Sequence, residues 1–275
     1  LISGNSINGS LNFFSTGTNK LSNTNNLRTT VVNDFNYTSN DFISKLGFKN
    51  NFDLYFKNLN AVGKNDSIYT SDTQIDGLSI LKIDSSLPLF KSKNMIKELL
   101  TPKISFRINP GNNMDNYSGS SANVNANNIF HINRLGISND FEAGRSLTFG
   151  LDYKLDQLKN NQSEDTKDKY LELKLATVIR DQSENDIPIS STINKKNSDL
   201  FGSIDNQLFD NLNLAYDFSL DNDMKTINSH SIETGISINN FITTFNFIEQ
   251  RNEIGSTHLL SNVTEYQIND NTSLK

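Results

Sequence analysis

The 275-residue chain has no cysteine, no tryptophan and only 4 prolines. Nowhere does it hold an apolar run near the ~18 residues that a membrane helix needs. Without cysteine, neither a disulfide framework nor a thiolate metal site can form, and redox logic leaves the compartment open. With a mean hydropathy of -0.50, no helical membrane span is expected. A membrane β-barrel is not excluded, because half of every strand in such a barrel is polar and hydropathy averages out. Positive charge is also short. Lys and Arg number 25 against 31 Asp and Glu, for a net charge of -6 and a pI near 5.1. No basic stripe is available to neutralise phosphates, so nucleic acid is not an expected partner. The apolar share, 35%, lies below the roughly 45–50% of globular domains, and Asn and Ser are abundant. The chain opens at Leu1-Ile2-Ser3-Gly4 without Met or signal peptide and stops at Asn271-Thr-Ser-Leu-Lys275. Both ends are expected to be cuts through a longer protein.

What is present is alternation. In the stretch Arg145 to Asp156, Leu147, Phe149, Leu151, Tyr153 and Leu155 share one parity, and Thr148, Gly150, Asp152 and Lys154 share the other. Period two with one oily and one wet face means an extended strand. Its length is what a tilted strand needs to cross a bilayer.

The same rhythm recurs along the chain. Strands are expected from Ile7 through Phe13, Leu27 through Tyr37, Ile75 through Leu89, Ile104 through Ile108 and Ile129 through Leu135. Further strands follow at Leu171–Ile179, Leu200–Asn206, Leu212–Leu220, Ile232–Ile238, Phe241–Phe247 and Leu260–Ile268. Phe42 to Asn58 keeps one parity throughout and predicts a single strand of about seventeen residues, roughly 55 Å long. Ser92 to Leu100 is the one segment with helical spacing, but it is short and uncapped, so a loop is expected there. Polar loops are expected from Asn109 to about Asn128 and from Asp181 to Asn197, and a charged turn from Asn160 to Lys169. That amounts to about a dozen strands joined alternately by short turns and long loops, in one domain spanning residues 1–275. No repeat suggests a solenoid.

Catalytic and metal signatures are lacking. His131, His230 and His258 are isolated in sequence and read as ordinary strand or turn residues. Asp221-Asn-Asp223 lacks the later acidic residues and glycine of a calcium loop and reads as a turn. Asp181, Glu184 and Asp186 read as a solvated loop, and Glu164, Asp165 and Asp168 as a mixed-charge surface turn. No Walker, dinucleotide or nucleophile-elbow motif occurs. An enzyme is not expected, nor is any cofactor.

Two closures fit such strands: oil inside, as in a soluble sandwich, or oil outside, as in an outer-membrane barrel. Sandwich strands average about five to six residues, and several here are longer, which favours oil outside. The missing Trp counts against it, unless the 8 Tyr and 18 Phe supply the interfacial girdle. The fold expected is therefore all-β, an antiparallel transmembrane barrel represented in part. Its lumen-facing, cargo-contacting candidates are Lys45, Lys49, Asp53, Lys57, Asp152, Lys154, Glu172, Lys174 and Asp217. The bland role of these residues is to solvate a pore; the functional one is to hydrogen-bond a polar, sugar-rich cargo.

Four segments carry a family resemblance: Leu100-Thr-Pro-Lys-Ile-Ser-Phe-Arg107, Asn127-Asn-Ile-Phe-His-Ile-Asn-Arg-Leu-Gly136, Phe141-Glu-Ala-Gly-Arg-Ser-Leu-Thr-Phe-Gly-Leu-Asp-Tyr153 and Arg180-Asp-Gln-Ser-Glu-Asn-Asp-Ile-Pro188. They resemble the barrel of the LptD family, the lipopolysaccharide-assembly or organic solvent tolerance proteins of the outer membrane. Residues 100 to 155 match best, and the flanks match in strand rhythm. The resemblance implies a transporter component of the Gram-negative outer membrane. In that family the glycan of lipopolysaccharide passes through a polar lumen and the lipid leaves through a lateral seam. The partners implied are lipopolysaccharide, a plug lipoprotein of the LptE type, and bridge proteins of the LptA and LptC type reached through a periplasmic jellyroll. That jellyroll, the cysteines common in the family and a closing aromatic-ended strand are missing from this sequence, so an internal part of the barrel is expected and no seam strand is assigned. The alternative is a general porin or sugar-uptake channel, and a soluble adhesin-like sandwich is a distant third.

Overall fold

The computed structural model describes residues 9–111, 123–136, 141–157, 169–252, 255–269 and 272–274. They form one antiparallel sheet and contain no α-helix. Strands β1 (Gly9–Ser22), β2 (Asn26–Ser39), β4 (Lys49–Lys64), β5 (Gln74–Ser86), β7 (Ile96–Asn109), β8 (Gly144–Gln157), β9 (Lys169–Arg180) and β10 (Leu200–Phe209) follow one another as an up-and-down meander. It continues through β11 (Leu212–Leu220), β12 (Ile227–Ile238), β13 (Phe241–Asn252), β14 (Gly255–Asn269) and β15 (Thr272–Leu274). Two short strands, β3 (Phe42–Ile43) and β6 (Leu89–Lys93), pair with β4 and β7 beside this path. Among the described residues no pairing joins β1 to β15. The sheet is open, as in part of a barrel.

The alternation decides which face meets what. In β8, Leu147, Phe149 and Leu151 are 37%, 40% and 40% exposed, whereas Ser146 and Thr148 are 4% and 2% exposed. A soluble sandwich would bury the first set. Here the oil faces outward and the polar parity is covered, the inverse arrangement expected of a wall in lipid. The same outer face carries Phe13, Phe35 and Phe56 in one cross-strand row. Near the short-turn rim it carries Tyr37 against Phe52, with ring centroids 5.7 Å apart, and Phe241 against Tyr266, 4.8 Å apart. Tyr and Phe thus occupy rim positions where Trp would be usual.

The oily band does not follow the hydrogen-bond ladder. Leu54 stands across from Leu81, then Ile108, then Arg145, yet β8 centres its oil near Leu151. A band that slips along the strands in this way is the mark of tilted strands in a barrel wall.

The two longest connections leave from one end. Residues 110–143 join β7 to β8 and residues 181–199 join β9 to β10. At the opposite end, Asp210-Asn211 and Asn239-Asn240 suffice for β10–β11 and β12–β13. Both long connections turn back against the inner face. There Val124, Ala126, Ile129, Leu135, Ile187 and Ile193 pack on Ala176 and Val178 of β9 and Phe201 of β10. The apolar core therefore lies between the sheet and its own loops. Leu78 and Ile80 of β5 break the polar parity for the same reason: they receive Phe141 and Ile132 from the first loop.

Three expected elements are corrected. Phe42–Asn58 is not one strand: after β3 the chain turns at Ser44–Gly47, where Gly47 has φ +86°, and β4 begins at Lys49. Parity survives the turn, so alternation alone could not reveal it. Ser92–Leu100 is neither helix nor loop but a hairpin, because Asn94 and Met95 both adopt positive φ (48° and 65°), the primed-turn geometry that matches strand twist. Ile129–Leu135 is not a strand either. It is a run of turns whose apolar residues fill the core between loop and sheet. Pro102, inside β7, sits where the neighbouring strand changes from β6 to β5, so its missing donor falls at a gap in the ladder. The charged turn expected before Lys169 lies outside the described residues, as does Ile7.

Candidate functional site: the inner face and its inserted loops

The inner face is built from the even residues of β8 and β9 and their cross-strand partners. Asp152 lies across from Lys174, Lys174 from Ser203, and Ser203 from Asp217. Asn127 of the first loop ties this row together: Lys174 Nζ donates to its Oδ1 at 2.9 Å, and its Nδ2 donates to Asp217 at 3.5 Å. Lys103 pairs with Asp152, and Lys154 bridges to Glu172 at 3.3 Å and to Asp156 at 3.6 Å. Lys174 also reaches Glu172, at 3.5 Å. Opposite signs thus alternate across strands, which neutralises the inner wall without leaving it apolar.

A second polar group spans β2, β4 and β5. Lys57, 3% exposed, donates to Asp34 at 2.9 Å, and Tyr55 Oη donates to the same carboxylate at 2.5 Å. Lys82 lies between Asp84 and Asp53, 3.5 Å from the latter. Seven of the nine residues singled out from the sequence therefore join two inner-face networks. The other two stand apart. Lys45 is exposed in the turn between β3 and β4, and Lys49, at the first position of β4, pairs with Asp41 at 2.8 Å near the short-turn rim.

The most deeply buried charged residue among the described ones is one that the sequence did not single out. Glu142, 1% exposed, sits just before β8 with three guanidiniums around it. Arg134 forks onto its carboxylate, with Nε donating to Oε2 at 2.9 Å and Nη2 to Oε1. Arg107 of β7 and Arg180 of β9 approach Oε1 at 3.1 and 3.2 Å. Arg134 also donates to Thr148 and Ser146 of β8, each at 2.9 Å, and Arg107 donates to the Glu142 carbonyl at 2.8 Å. Burial alone would raise the Glu142 pKa. The three neighbouring charges outweigh it and hold the carboxyl at about 2, against a usual 4.5. Gly144, with φ +86°, carries the chain from this carboxylate into β8, and a Cβ there would lie 2.6 Å from Glu184 Oε1 and 2.9 Å from Arg180 Nη2.

The arrangement is an anchor. One carboxylate from the returning arm of the first loop fastens that loop to β7, β8 and β9. The second loop is stitched alongside by backbone bonds, Arg180 N to Lys196 O at 2.7 Å and Ser198 N to Val178 O at 2.9 Å. Each of the four segments that carry the family resemblance supplies one member of the anchor: Arg107, Arg134, Glu142 and Arg180. That coincidence was the available signal, but lone charges in separate motifs do not announce that they converge.

Two of the three histidines are less isolated than their sequence positions suggest. Strand register sets Glu249 between His230, at 2.8 Å, and His258, at 4.0 Å, with Arg251 at 2.7 Å, all on the outer parity at the long-loop end. Among the described residues no group of three or more side chains is arranged to hold a metal ion.

No curated protein matches the chain. The family model described as "LptD: LPS transport system D" matches residues 6–272, nearly the full length. That family works in transport and assembly rather than as enzymes. With an oil-outside antiparallel wall and a match across almost every residue, the chain belongs to the LptD family, whose members serve lipopolysaccharide transport at the Gram-negative outer membrane.

Proposed function

We propose that this chain forms part of the barrel wall through which lipopolysaccharide reaches the outer leaflet, its glycan moving along the polar inner face and its lipid leaving by a lateral seam. The observation that carries this reading is the inverted wall: apolar residues outward, and charged rows such as Asp152–Lys174–Asp217 inward. A sugar chain is hydrogen-bonded by such a surface at little cost, whereas an acyl chain is excluded from it. The long connections fit the outward side of the membrane, as in other barrels of this type. Asp53, Lys57, Asp152, Lys154, Glu172, Lys174 and Asp217 are the proposed cargo contacts on the inner face, with Lys45 and Lys49 nearer the short-turn rim. A plug lipoprotein of the LptE type would complete the inside, and LptA- and LptC-type bridge proteins would deliver cargo through a periplasmic domain of the full-length protein.

The test is depletion of the full-length protein in cells, followed by an assay of lipopolysaccharide at the surface. Accumulation in the periplasm with loss from the surface is the expected result. Normal surface lipopolysaccharide with altered solute uptake would instead favour the porin or sugar-channel reading. The two loops packed across the inner face make a freely conducting pore the weaker alternative.

A further inference from the structure

At the long-loop end, a cavity of about 290 Å³ opens between the two inserted loops and the inner face of β10–β13. Its lining is mostly hydroxyl and amide, over the buried ring of Phe201. Three features make it more than a crevice. Thr192 lines it with φ +58°, a conformation that a β-branched residue adopts only under strain. Behind the wall, Asp199 is 2% exposed and accepts from Ser219 Oγ at 2.5 Å and from Asn228 Nδ2 at 2.8 Å. A buried carboxylate therefore fixes the two cavity-lining side chains, leaving the amide oxygen of Asn228 for a ligand. Lys195 stands exposed at the same cavity, and among the described residues it has no ion-pair partner.

We infer that this cavity is a binding subsite for one hydroxyl-rich ring bearing an anionic substituent, that is, an acidic sugar unit. Its volume is at the lower end for small-molecule sites and suits a single ring. Asn228, Ser229 and Gln250 supply paired donors and acceptors for hydroxyls, and Lys195 selects the acidic group, since Arg251, the other cation of the lining, is held by Glu249 at 2.7 Å. The inference rests on the glycan-conducting reading above and adds a place where the chain pauses at the outer mouth. The ring belongs either to the transported glycan or to a polysaccharide met from outside.

The test uses the full-length protein, purified from outer membranes with its accompanying lipoprotein, and three probes: glucuronic acid, glucose 6-phosphate and glucose. Saturable binding of the two acidic sugars with a Kd on the order of 1 mM, at least tenfold tighter than glucose, is expected. Lys195→Ala should abolish that preference. Gln250→Ala should weaken all three probes while leaving thermal stability unchanged, because a half-buried side chain outside the core carries little of the fold. No saturable binding, or unchanged binding in both variants, overturns the subsite. A photo-crosslinker at Ile189, on the cavity rim, distinguishes the sources: adducts bearing lipid mark the transported molecule, and lipid-free adducts mark an external polysaccharide. Crosslinkers at Asp152 and Lys174 report on the pathway itself. Glycan adducts there without sugar binding that depends on Gln250 and Lys195 would sink the subsite and leave the pathway standing; their absence would sink the pathway reading.

Discussion

Glu142 is the residue on which the inserted loops depend. Its carboxylate is nearly inaccessible and shares three arginines, so Glu142→Gln would leave buried guanidiniums uncompensated at a cost of about 3–5 kcal/mol. Protease cleavage within residues 123–136 of the folded protein is expected to rise sharply in this variant, while the outer wall stays intact. The pH dependence follows from the same contacts. The folded-state value lies below the usual 4.5, so the stabilisation is complete above that pH and is lost as pH falls toward about 2. Loop protection should therefore hold at pH 5 and decay across that window; a decay centred near neutrality would contradict the assignment. Gly150 presents a second test. A Cβ there would lie 2.6 Å from the ring of Phe130, so Gly150→Val should displace Phe130 and loosen the first loop, with a smaller rise in cleavage than Glu142→Gln.

Adjacent positions of β8 have opposite requirements, and this is the prediction proper to the element. Phe149→Lys places a charge on the outer face near mid-band and should cost ~2–4 kcal/mol. Thr148→Val, on the inner face, removes the acceptor for Arg134 and should cost about 1–3 kcal/mol. Urea titrations of the full-length protein refolded in lipid vesicles would measure both. If the outer-face lysine proves neutral, oil does not face lipid at β8. Alternation by itself makes this strand legible, as it does Leu212–Leu220, whose bounds agree at both ends. It fails at Phe42–Asn58 because the five residues between the paired Ile43 and Lys49, an odd number, conserve parity, and at Ile129–Leu135 because a loop packed on a sheet can be as apolar as a strand. Ser92–Leu100 misleads for another reason: a hairpin pivot at Asn94-Met95 has no glycine to mark it.

At the scale of the whole molecule, β1 and β15 carry outer edges that pair with nothing among the described residues. Unpaired backbone groups in hydrocarbon are costly, at several kcal/mol each. Expressed alone, residues 1–275 should give no folded, heat-modifiable band on gel electrophoresis in lipid or detergent. A folded species from this chain alone would mean that its edges find each other or another copy.

Composition, parity and loop length by themselves determined that the chain is all-β and that its strands are two-faced and long. Together with four short motifs, they made a membrane barrel of the lipopolysaccharide-assembly type the best reading. Those properties are written in local order, residue by residue, and periodicity reads local order directly. Only the tertiary structure decided which face is covered, because covering depends on loops 110–143 and 181–199 returning to the inner wall. It also decided that Arg107, Arg134, Glu142 and Arg180 meet, that Glu249 joins two histidines, and that Thr192, Lys195 and Asn228 share a cavity. Each of these is a contact between segments far apart in sequence, set by strand register and tilt, and neither quantity leaves a period in the chain.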